Sequence, residues 1–110
     1  MLESWRADLE TTDPELLRRH YSRNFKAMRG QNLNNWLDKV QQSNLGARKI
    51  SVSLRDVTLF RYPDQKDQKE LIVAAFTQEA TIGKGKHVTR KRQYWAKEGA
   101  QWKIVSEVNL

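Results

Sequence analysis

The 110-residue sequence has no cysteine, only two prolines, five glycines and two histidines. Without cysteine there is no disulfide, no thiol nucleophile and no thiolate metal site. His20 and His87 are the only histidines, and neither belongs to an HxH or HExxH pattern, so no metal is expected. No apolar run approaches the roughly 20 residues needed to cross a membrane, and membrane insertion is not expected. Met1 to Trp5 lacks the apolar core of a secretion signal. There is no GxSxG motif, and Gly83-Lys84-Gly85 lacks the strand–loop–helix setting of a phosphate cradle, so it reads as a turn. No Gly/Ser linker, low-complexity tract or internal repeat divides the chain. No cofactor is implied by any of these patterns.

What is present points to one folded domain over residues 1–110. Hydrophobic residues make up 38% of the chain, with four Trp, three Tyr and three Phe. A chain of this length can close one core without a staple. The net charge is +7, and Lys84, Lys86, Arg90, Lys91, Arg92 and Lys97 crowd one stretch with no acid among them. Such a patch suits an anionic glycan, or it protects a strand from edge pairing. Nucleic acid is not favoured, because no reader motif accompanies the charge.

The C-terminal half reads as four strands: Ile50 to Tyr62, Leu71 to Ile82, His87 to Lys97 and Gln101 to Val108. Short polar or Gly-containing breaks at 63–67, 83–85 and 98–100 join them, which predicts an antiparallel meander. In the first strand Ile50, Val52 and Leu54 share one parity, whereas Val57 and Leu59 share the other. A regular strand keeps one face, so the switch predicts a β-bulge near Arg55-Asp56 and a bent, concave sheet.

The N-terminal half reads as three helices. Leu2, Trp5 and Leu9 mark the first, ending at Thr11-Thr12. Asp13-Pro14-Glu15 opens the second, with Asp as cap and Pro at the first helical position; it is expected to reach about Arg23, with Leu17, Tyr21, Asn24 and Phe25 along one side. Gly30 lies in the following connection. Leu33, Trp36, Leu37 and Val40 mark the third, with Asn32 as cap and Asn44 or Gly46 as its stop. Helices followed by strands give an α+β fold, with three N-terminal helices packed on a bent antiparallel four-strand sheet. Trp5, Tyr21, Phe25, Trp36, Phe76 and Trp102 are the expected core aromatics.

Chemistry could come from a carboxyl in an apolar pocket, where burial makes it a proton carrier. Asp8, Asp56 and Glu107 are the candidates. Gln78 shares parity with Ile72, Ala74 and Phe76, so it should face inward near the mouth, where a buried amide needs a partner. Lys91, Tyr94 or a ligand would supply one.

These features resemble a known superfamily. Trp5, Asp8, Leu9, Asp13 and Tyr21-Ser22-Arg23-Asn24-Phe25, then a third helix and a bent meander, resemble the NTF2-like (SnoaL/ketosteroid-isomerase-like) cone. Trp36, Ile50-Ser51-Val52, Phe76-Thr77-Gln78, Lys91 to Trp95 and Trp102 to Glu107 resemble one branch, the domain C-terminal to YkuD-type L,D-transpeptidases and L,D-carboxypeptidases. That resemblance implies a periplasmic accessory domain of a peptidoglycan enzyme. The YkuD catalytic domain uses Cys with His, and this chain has no Cys. Neither can the Asp base and Tyr/Asp oxyanion hole of ketosteroid isomerases be placed on matching strands. The leading expectation is a non-catalytic module. Its concave pocket, lined by Tyr21, Phe76, Gln78, Lys91, Tyr94 and Glu107, would take a peptidoglycan or other anionic glycan ligand, a peptide, or the attached YkuD-type domain. One alternative is a small isomerase, hydratase or cyclase using Asp8 or Glu107. Another is a homodimerisation module with Trp95 and Val73 exposed on the outer sheet face.

Overall fold

A computed structural model describes residues 1–11, 13–27, 32–43, 50–63, 70–82 and 84–110, with the backbone alone at 39–43. The elements are α1 (Leu2–Glu10), α2 (Pro14–Arg18), α3 (Leu33–Ser43), β1 (Ile50–Tyr62), β2 (Leu71–Ile82), β3 (Gly85–Glu98) and β4 (Gln101–Asn109). The strands form one antiparallel sheet in sequence order. The expected connection at Gly30, the stop at Asn44 or Gly46, Thr12, Gly83, the Val40 side chain and most of the 63–67 break lie outside the described residues.

The helix starts follow local chemistry. The Asp13 side chain accepts from the Glu15 backbone N–H at 2.9 Å, and Pro14 occupies the first turn. Asn32 caps α3 by accepting from the Asn35 N–H at 2.9 Å. Trp5 and Leu9 of α1 and Trp36 and Leu37 of α3 are buried, while Leu2 and Leu33 pack at the margin.

The second helix is shorter than expected. It ends at Arg18, not Arg23. The reason is competition from the sheet edge. The Ile104 N–H donates to the His20 carbonyl at 2.7 Å, the Ser22 N–H to the Ile104 carbonyl at 2.8 Å, and the Lys26 N–H to the Val105 carbonyl at 3.2 Å. Tyr21 thus forms a parallel bridge with Ile104. An extended segment satisfies the unpaired edge of β4, which a further helical turn would leave open.

The bulge is where the parity switch placed it. The β1–β2 register shifts between Arg55 and Thr58, and Asp56 adopts φ 53°. An extra residue in one strand bends it and increases its twist. Before the bulge, Ile50 and Val52 are buried, and the side chains of α1 cover the strand edge. The Val52 N–H donates to Glu10 Oε2 at 2.8 Å, and Arg6 Nη1 donates to the Val52 carbonyl at 3.0 Å. After it, Val57, Leu59, Phe60 and Tyr62 are all exposed.

A second irregularity lies in β4. Tyr94 pairs with Ser106 but Trp95 pairs with Ile104, which leaves Val105 as an extra residue. Ile104 and Glu107, three apart, are therefore both buried. Gly99, at φ 62°, makes the tight β3–β4 turn.

The core lies between the helices and the concave face, where Phe76, Ala74, Trp95 and Ile104 have no exposed surface. Trp5 packs on Phe76 with ring centroids 5.7 Å apart, Tyr21 meets Phe25 edge-on at 5.1 Å, and Phe25 meets Trp36 at 6.1 Å. Trp102 is only half-buried and packs against the margin of this cluster. The dimerisation alternative puts Trp95 on the outer face; it is fully buried, because Lys91, Gln93 and Trp95 alternate inward along β3.

Candidate functional site: a polar network inside the cone

A cavity of about 430 Å³ opens between the helices and the concave face. Its apolar wall comes from Trp5 and Leu9 of α1, Trp36 of α3, and Ile50 and Val52 of β1. Gln78, His87, Thr89 and Asn109 add polar groups from the strands, and Tyr21, Lys91 and Glu107 reach it from below. Cavities of this size hold a small ligand or part of a larger one.

Glu107 is the centre of the polar network. Its side chain is fully buried. The Gln93 amide donates to Oε1 at 2.6 Å, the Tyr21 hydroxyl donates to Oε1 at 3.2 Å, and Lys91 Nζ donates to Oε2 at 3.1 Å. The network continues outward. The Trp95 indole donates to Gln93 Oε1 at 3.1 Å, and the Trp5 indole donates to the Tyr21 oxygen at 3.2 Å. Lys91 Nζ also lies 5.7 Å from the Trp5 ring centre and 5.6 Å from that of Trp36, so its charge rests between two indole faces.

Burial, and then the negative charge of Glu107, push the Tyr21 hydroxyl well above the usual phenol range. It is a neutral donor at any physiological pH. The Trp5 and Trp36 indoles turn toward its oxygen and partly oppose the shift, but only Trp5 reaches hydrogen-bond geometry. Trp36 Nε1 and Gln78 Oε1 are buried and have no hydrogen-bond partner among the described residues. One is a donor and the other an acceptor, and both residues line the cavity.

Four expected ligand residues therefore come together: Tyr21, Gln78, Lys91 and Glu107. Two do not. Phe76 is inward but lies beneath Trp5, in the core and not on the cavity wall. Tyr94 is on the opposite face, because its neighbours Gln93 and Trp95 are the inward ones, so it cannot serve Gln78. Asp8 is also outside the cavity, 2.6 Å from His20 Nε2, where it ties α1 to the segment after α2. Asp56 sits exposed in the bulge. Of the six clustered cations, only Lys91 is buried. Lys86 pairs across the strands with Glu79, and that contact, with the charge of Arg55, holds the Glu79 carboxyl below its usual range.

Gln93, Trp36, His87, Thr89 and Asn109 were not anticipated as site residues. The parity shared by His87, Thr89, Lys91, Gln93 and Trp95 could have found three of the four strand positions. Trp36 was visible only as a core aromatic.

Chemically, the arrangement holds its charges fixed. A carboxylate offers about four lone-pair positions, and the protein itself occupies three of them on Glu107. Among the described residues, no group of three or more metal-ligating side chains comes together. Nor is any described helix long and apolar enough to cross a membrane.

Three helices against a bent meander, with the cavity between them, define an NTF2-like domain. The chain belongs to the family of the Cds6 C-terminal NTF2-like domain, whose model matches residues 1–108. No curated protein matches the chain by sequence. Among solved structures, Bdellovibrio bacteriovorus Bd1075 is 25% identical, with a TM-score of 0.82 over 99% of this chain and 38% of that one. The helical cell shape determining protein Pgp2 of Campylobacter jejuni is 13% identical, with a TM-score of 0.79 over 96% of this chain and 37% of that one. An NTF2-like protein of Pseudomonas putida is 14% identical, with a TM-score of 0.78 over 98% of this chain and 79% of that one. This chain thus spans well under half the length of the first two.

Proposed function

We propose that this domain is a non-catalytic binding module of a bacterial cell-wall protein, working in the periplasm beside a YkuD-type catalytic domain and holding a glycan or peptide ligand in its cone. The observation that carries this reading is the pair of buried polar atoms without a partner among the described residues, Gln78 Oε1 and Trp36 Nε1, on two residues that line a preformed cavity. A buried amide oxygen without a donor costs stability, on the order of 1–3 kcal/mol, and a ligand that supplies the donor recovers it. Cell-wall context is supported by the resemblance in the sequence, and by a fold shared with a cell-shape determinant in which such a domain is a minor part of the chain.

The non-catalytic reading is favoured because Lys91, Gln93 and Tyr21 take three of the roughly four lone-pair positions on Glu107, because its side chain has no exposed surface, and because Asp8 lies elsewhere. A general base must come within hydrogen-bond reach of the substrate. The dimerisation alternative in its stated form needs Trp95 outside, and Trp95 is buried. Titrating soluble peptidoglycan fragments against the ¹⁵N-labelled domain tests the proposal. Chemical-shift changes at Gln78, Lys91 and Tyr21 are expected. A spectrum in which the cavity residues stay still while fragments saturate the sample would refute it.

A further inference from the structure

The cone is electrically closed, and this restricts what enters it. Lys91 and Glu107 are an internal pair with side-chain exposures of 8% and 0%. The positive charge is directed at Glu107 and rests between the Trp5 and Trp36 indoles. A ligand cation would meet an aromatic slot that Lys91 already fills. A ligand anion would have to share Lys91 with a carboxylate already inside, which leaves the desolvated site one charge out of balance. Of the remaining walls, Leu9, Ile50, Val52, Ala80 and Ile82 are apolar, Thr89 and Asn109 are neutral, and His87 is solvent-exposed, so no buried group there compensates either sign.

The unsatisfied atoms then specify hydrogen-bond polarity. Gln78 Oε1 asks for a donor. Trp36 Nε1 asks for an acceptor, and Lys91 Nζ has hydrogens beyond the one given to Glu107. Gln78 lies opposite Thr89 and Lys91 opposite Phe76, so Gln78 and Lys91 are diagonal neighbours on the concave face. The backbones of such neighbours sit about 7–8 Å apart, which puts both side chains within reach of one small dipolar group.

We infer that the cone selects an uncharged secondary amide, its N–H donated to Gln78 and its carbonyl accepting from Trp36 and Lys91, with the flanking methyl or methine carbon against Trp5 and Val52. The inference rests on the binding reading above and narrows its ligand class. A secondary amide occurs both as the acetamido group of an N-acetyl sugar and as a peptide bond.

The test is an NMR titration of the whole domain with four probes: N-acetylglucosamine, N-acetylalanine N-methylamide, glucosamine and acetate. The Trp36 indole N–H and the Gln78 side-chain amide are followed at low and high salt. At least one of the two amides is expected to shift both signals, and which one does so separates a sugar source from a peptide source. Its affinity should not change with salt, whereas screening would weaken a charge-driven ligand. Glucosamine and acetate should bind at least about tenfold more weakly, the factor set by one unmade buried hydrogen bond. Gln78→Leu, which removes the acceptor at a half-buried position, should lower amide affinity by a similar factor with unchanged circular dichroism. If acetate or glucosamine binds as tightly as the amides, or the amide affinity falls with salt, the inference fails while a binding cone survives. The same holds if peptidoglycan fragments shift the cavity residues and neither amide does. If nothing shifts them, both readings fall.

Discussion

Lys91 and Glu107 neutralise each other inside the cone, Nζ 3.1 Å from Oε2, with the lysine placed by β3 and the glutamate by the far end of β4. Removing one partner leaves a buried charge. Lys91→Met should cost about 3–5 kcal/mol, whereas removing both charges should cost much less than the sum of the single changes. Lys91→Met with Glu107→Gln keeps an acceptor for Tyr21 and Gln93 and leaves no net charge. Urea unfolding of the two single variants and the double variant measures the coupling. Additive costs would mean that the pair contributes little as a pair.

Tyr21 gives the domain a weakness toward alkali. Its folded pKa is raised well above the unfolded value of about 10, so above that pH the unfolded chain releases a proton that the folded chain keeps. The contribution is complete below about pH 10 and is lost as pH rises toward the folded value. Absorbance at 295 nm should show one phenol, that of Tyr21, ionising only as the protein unfolds. Tyr21→Phe should remove that delayed phase.

Two aromatics on the sheet should behave in opposite ways. Trp95 has no exposed surface and Phe60 is 59% exposed. Trp95→Ala should cost about 3–5 kcal/mol. Phe60→Ala should stay within about 0.5 kcal/mol, as surface changes usually do. Thermal melts of the two variants decide the matter, and equal effects would contradict the inward alternation of β3.

Much of the architecture was legible because it depends on local periodicity. Asp13-Pro14 and Asn32 announced helix starts through their own hydrogen bonds, and the change of parity between Leu54 and Val57 announced the bulge. What was not legible depended on long-range competition. Locally the Ser22 hydroxyl accepts from the Asn24 N–H at 3.1 Å, a weak bias against helix; the edge of β4, some 80 residues on, takes the backbone. The inward placement of Glu107 also needed the extra residue at Val105, visible only in the pairing with Tyr94 and Trp95. Of the site, Gln78 followed from parity and Tyr21 from the motif around it, whereas Lys91 and Glu107 were named as candidates without a parity that placed them inward. Tyr94 was misplaced because adjacent strand residues face opposite ways, and Gln93 was overlooked for the same reason.

The bulge itself can be tested at Asp56, which has φ 53°. Left-handed backbone costs an ordinary residue roughly 1–2 kcal/mol, glycine almost nothing, and Asp less than β-branched residues. Asp56→Gly should be neutral or slightly stabilising, and Asp56→Val should cost about 1–2 kcal/mol. Chemical denaturation measures both. If Val is tolerated as well as Gly, the strand runs on without the kink.

That kink also partitions β1 by task. Residues 50–54 are bound to α1 and to the cavity wall, while 57–62 touch solvent on both faces and have no role in the cavity. The far half can be recut to suit a different neighbour while the near half, and whatever the cone holds, stays as it is. One strand thus has a packed half and an exposed half, and the two can be altered independently.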